Sequence, residues 1–92
     1  MQVNFYATLR PIVGAKSIDV PLPEGITVEE LLADIIERYP QLHSELFDEQ
    51  GALYRHVHVF INGRDAPFLA NALETVLTSN DTIDIFPAVA GG

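Results

Sequence analysis

The stretch Thr27-Val28-Glu29-Glu30-Leu31-Leu32-Ala33-Asp34-Ile35-Ile36-Glu37-Arg38-Tyr39-Pro40 decides the fold. The Thr27 hydroxyl is spaced to accept from the amide of Glu30 while the Glu30 carboxylate reaches back, a capping box that starts a helix. Val28, Leu31, Leu32, Ile35, Ile36 and Tyr39 then recur at 3.6-residue spacing and form one apolar stripe, which Pro40 ends. Glu29, Glu30, Glu37 and Arg38 fall largely outside the stripe, so those carboxylates read as a solvated face rather than an acid–base pair. No other segment carries so clear a helical period, and the rest of the chain must pack against this one stripe.

Upstream, Met1, Val3, Phe5 and Ala7 alternate with Gln2, Asn4, Tyr6 and Thr8, the period-2 pattern of a half-buried strand, broken by Pro11 and Gly14. Ile18, Val20 and Leu22 alternate with Ser17, Asp19 and Pro21, giving a second strand near enough to pair as a hairpin. Downstream, Leu42 to Leu53 reads as a polar connection with at most a helical turn at Ser44–Phe47. Val57, Val59 and Ile61 alternate with His56, His58 and Phe60, and Asn62-Gly63 is a strong hairpin signal leading to a brief strand near Arg64–Ala66. Ile83 and Ile85 alternate with Thr82, Asp84 and Phe86, a last strand stopped by Pro87. Five short strands and one helix covering one face of a mixed sheet make an α+β fold of the β-grasp, or ubiquitin-like, arrangement. The folded domain is expected over residues 1–86, with 87–92 as a flexible tail.

Composition narrows the function. A chain of 92 residues, 48% apolar and 20% charged, holds one small core and cannot also wall in a deep catalytic cleft, so a carrier or binding module is expected before a self-contained enzyme. Thirteen acidic against five basic residues leave a net charge of -8, which disfavours nucleic acid and anionic membranes and suits a protein partner with a basic docking face. There is no cysteine, hence no disulfide, thiolate metal site or thiol nucleophile. His56 and His58 stand two apart on one strand face, but no third ligand is placed beside them, and no metal is expected. Met1 to Pro11 has neither a basic start nor an apolar run, so a cytoplasmic protein is expected.

Two features point to chemistry. If Val3, Phe5, Val59, Ile61, Ile83 and Ile85 face the helix, Tyr6, Phe60 and Phe86 emerge together on the open face of the sheet, an aromatic patch of the kind that docks a partner. The tail Pro87-Ala88-Val89-Ala90-Gly91-Gly92 carries no charged side chain and ends on two glycines. Six extended residues reach about 20 Å. Lacking a Cβ, Gly91 and Gly92 let another protein's backbone approach closely, so the end can thread a narrow channel while the body stays outside.

Asn4-Phe5-Tyr6-Ala7-Thr8-Leu9-Arg10, Val28-Glu29-Glu30-Leu31-Leu32, Ile61-Asn62-Gly63 and above all Asp84-Ile85-Phe86-Pro87-Ala88-Val89-Ala90-Gly91-Gly92 resemble the MoaD/ThiS-type ubiquitin-like sulfur carriers, most of all the small subunit of molybdopterin synthase. The tail departs from the usual pattern at Ala88, where a second proline is common, so it should be less stiff. The resemblance implies that an E1-like adenylating enzyme uses ATP to join AMP to the Gly92 carboxylate, and that sulfur displaces AMP to leave a thiocarboxylate. It also implies a receiving enzyme, the molybdopterin synthase large subunit or another sulfur acceptor, with no cofactor bound by this chain itself. Gly91 and Gly92 become the active terminus, and Tyr6, Arg10, Phe60, Phe86, Pro87 and Val89 the partner-binding residues. A protein modifier conjugated through Gly92, and a β-grasp adaptor that is never activated, are the rival expectations.

Overall fold

The computed structural model describes residues 1–21, 23–54, 57–65 and 72–87. Its elements run β1 (Gln2–Phe5), α1 (Leu9–Val13), β2 (Ser17–Asp19), α2 (Val28–Arg38), α3 (Leu42–Leu46), β3 (His58–Ile61), β4 (Arg64–Asp65), a 3-10 turn (Ala72–Glu74) and β5 (Thr82–Phe86). The five strands form one sheet in the order β2-β1-β5-β3-β4. β1 and β5 lie parallel at its centre, with Val3 opposite Ile83 and Phe5 opposite Ile85, while β2 and β3 flank them antiparallel. This is the ubiquitin-like β-grasp, a mixed five-stranded sheet with few helices.

The helix that opens the argument forms as its sequence dictates. The Glu30 amide donates to Thr27 Oγ1 at 3.1 Å and the Thr27 amide donates to Glu30 Oε1 at 3.1 Å, so two helix-end donors are satisfied reciprocally. Val28, Leu31, Leu32 and Ile35 are buried in one core with Val3, Phe5, Val59, Ile61, Ile83 and Ile85, and Ile36 and Tyr39 pack partly buried against it. Asn62 and Gly63 both carry positive φ, 52° and 84°, which a two-residue hairpin of this hand requires and which glycine adopts without strain.

The structure corrects the sequence reading in three places. The first strand stops at Phe5, not Thr8: Tyr6 lies beyond it, Ala7 takes φ 50°, and Leu9–Val13 forms a one-turn helix closed by the Gly14 amide on the Arg10 carbonyl at 2.7 Å. Pro11 is tolerated inside it because it falls in the first turn, where amides have no intrahelical partner. The connection after Pro40 is not merely polar, since α3 sends Leu42 and Leu46 fully into the core. β2 ends at Asp19, although pairing reaches one residue further through the Val20 amide on the Met1 carbonyl, 2.8 Å. The expected contributions of Leu22, His56 and Ala66 lie outside the described residues. No helix among the described residues is long and apolar enough to cross a membrane.

Candidate docking face

The sheet has a helix-covered side and an open one, and the period-2 alternation sends Asn4, His58, Phe60, Asp84 and Phe86 to the open side. Register brings them together: Phe60 stands opposite Asp84, His58 opposite Phe86, and Asn4 opposite Asp84. Tyr6, just past the end of β1, turns back over the same surface. Its ring stacks on Phe86 with centroids 4.1 Å apart and planes 13° apart, and Phe86 meets Phe60 edge-on at 5.4 Å. Arg10, from the first turn of α1, lies over the Tyr6 ring, 5.2 Å from its centroid, and donates from Nε to the Phe5 carbonyl at 2.8 Å. Arg10, Tyr6, Phe86 and Phe60 thus form one continuous, half-buried row.

A polar strip fixes the row from beneath. The Tyr6 hydroxyl donates to Asp84 Oδ1 at 2.9 Å, and Asn4 Nδ2 donates to the same oxygen at 2.8 Å. Asn4 Oδ1 in turn accepts from Ser17 Oγ at 2.6 Å and Gln2 Nε2 at 2.9 Å, which ties the strip across β2, β1 and β5. The bond to Asp84, then desolvation, raises the Tyr6 pKa above the ordinary tyrosine value.

Four of the sequence-derived partner residues, Tyr6, Arg10, Phe60 and Phe86, are therefore neighbours. Pro87, the first residue of the expected tail and one of the sequence-derived partner residues, is buried. Val89, Gly91 and Gly92 lie outside the described residues. Asp84, which orients Tyr6, was not singled out from sequence, although its place between Phe60 and Phe86 in the alternation was visible. His58, which the sequence offers with His56 only as a metal-ligand pair, has its Nδ1 facing Asp65 Oδ2 at 2.8 Å. Among the described residues no group of three possible metal ligands gathers.

The strand order, the single capped helix and the aromatic row beside the root of the tail define a ubiquitin-like carrier or modifier domain. The profile of the ThiS family matches residues 3–92, and the chain belongs to this family of ubiquitin-like sulfur carriers. It is 36% identical to small archaeal modifier protein 3 of Haloferax volcanii over 100% of this chain and 98% of that one. It is 32% identical to the sulfur carrier protein CysO of Mycobacterium tuberculosis, over 98% and 96% of the two chains. Among solved structures, small archaeal modifier protein 1 of Haloferax volcanii superposes with a TM-score of 0.85 at 30% identity, covering 100% of this chain and 98% of the other. CysO of Amycolatopsis orientalis, in a complex with BexX, gives 0.77 at 34% identity over 99% and 98%. A putative molybdopterin converting factor subunit 1 of Pyrococcus furiosus gives 0.75 at 27% identity over 96% and 95%.

Proposed function

We infer that this chain carries sulfur on the carboxylate of Gly92 and has no active site of its own. An activating enzyme docks on Tyr6, Arg10, Phe60 and Phe86 while Gly91 and Gly92 thread its nucleotide site. The Gly92 carboxylate attacks the α-phosphorus of ATP, pyrophosphate leaves, and a sulfur nucleophile then displaces AMP from the acyl carbon to give a terminal thiocarboxylate. ATP belongs to the partner, which also supplies the metal and positive charge that phosphoryl transfer needs. The observation that carries this reading is that the family match runs from residue 3 to the Gly-Gly end at residue 92.

The molybdopterin synthase small subunit is the particular carrier we favour, because the Pyrococcus protein named for that role shares the fold and nearly the full length. A second reading, conjugation of Gly92 to lysines of other proteins, is favoured by the small archaeal modifier proteins, one of them 36% identical. Both readings use one activated end. The test is removal of Gly92: the shortened chain should keep its fold, since β5 ends at Phe86, and should no longer be adenylated by the activating enzyme. Adenylation at the wild-type rate would refute both.

A further inference from the structure

The aromatic row does not stop at Phe60. His58, two residues earlier on β3, continues it with ring centroids 6.0 Å apart, and its side chain is 48% exposed, while that of its partner Asp65 is only 11% exposed. Because Asp65 Oδ2 lies 2.8 Å from His58 Nδ1 and a carboxylate has no proton to give, the hydrogen between them sits on Nδ1. Asp65 therefore fixes the ring tautomer. The neutral ring is left with a bare lone pair on Nε2, the nitrogen away from Asp65, and Nε2 has no hydrogen-bond partner among the described residues. Asp65 Oδ1 is buried and likewise unpartnered there, so this carboxylate serves His58 alone.

We propose that His58 Nε2 is the polar anchor of the docking face, accepting a hydrogen bond from an N–H or O–H donor that the activating enzyme presents beside the apolar surface it lays on Phe60 and Phe86. This rests on the docking reading above and adds the chemistry of the partner's contact: an apolar projection with one donor at its rim. A directional acceptor at the edge of an aromatic patch sets register, which three rings alone do not. Asp65 is a positioning residue, acting only through the tautomer it imposes.

The test is calorimetric titration of the full chain into its activating enzyme at pH 7.5. His58→Phe keeps the ring and deletes the acceptor; Asp65→Asn offers an amide N–H to Nδ1 and pushes the ring proton to Nε2. Both should bind about 3- to 10-fold more weakly than wild type at pH 7.5. Nitrogen NMR of the free wild-type imidazole should find the proton on Nδ1. His58→Phe binding as tightly as wild type, or a proton found on Nε2 of the neutral ring, would overturn the proposal. Phe86→Ala separates the two layers: if it loses binding while His58→Phe does not, only the anchor fails, and if it too binds normally, the docking face itself is wrong.

Discussion

Asp84 shows how one side chain shapes a surface. It accepts from Tyr6 and Asn4 on a single oxygen, and the Tyr6 bond needs the phenol in its neutral form. The Tyr6 pKa is accordingly raised in the folded chain, so this contribution to stability is complete below the ordinary value of 10.0 and fades as pH rises through the folded value. Asp84→Ala should move the Tyr6 midpoint down, followed by NMR of the ring; an unmoved midpoint would mean that the bond does not form. Glu24 has the opposite sign. Held below the ordinary carboxylate value, first by the Ser79 hydroxyl and then by the Ser79 amide, it adds stability above the unfolded value that is lost as pH falls through the folded one. Ser79→Ala should therefore shift the acid-unfolding midpoint upward. For docking, Phe86→Ala should weaken binding to the activating enzyme by at least ~1 kcal/mol, and Glu37→Ala on the exposed face of α2 by much less. Alternation along each strand made Phe60 and Phe86 legible as neighbours. It could not reveal that Asp84 grips Tyr6, because Tyr6 leaves the strand and returns through a left-handed Ala7.

The helices were legible in proportion to their length. α2 spans 11 residues, enough for its period and capping box to be read without a structure. α1 and α3 have five residues each, too few to establish a period, and they exist because burying Leu9, Leu42 and Leu46 outweighs weak local preference. Their stability is thus tertiary. Thr27→Ala should cost about 1 kcal/mol in urea unfolding through loss of the cap, with docking unchanged. Leu46→Ala should cost about 2–5 kcal/mol, far more than a five-residue surface turn could account for. A loss below about 1 kcal/mol would show that α3 is not part of the core.

In the whole molecule, the two sides of the sheet differ in character. Exposed Glu29, Glu30 and Glu37 lie on α2, whereas the open side of the sheet offers aromatic rings edged by Arg10 and His58. The open side also holds the carboxylates Asp84 and Asp65, so the overall charge of -8 does not by itself locate the docking side. Topology followed from the sequence because one amphipathic helix among short strands admits few packings. Which protein would accept the sulfur in the proposed function was not legible in the sequence. The sequence has a single lysine, Lys16, and a dedicated carrier needs none, so Lys16→Arg should leave sulfur transfer unchanged. The central claim is the sulfur on Gly92, and the measurement that reaches it most directly is the intact mass of the chain isolated from sulfur-replete cells. The expected spectrum has one terminal oxygen replaced by sulfur, a change absent when the activating enzyme is removed. A chain found mainly in isopeptide linkage to lysines of other proteins, with no thiocarboxylate, would contradict it and establish a modifier instead.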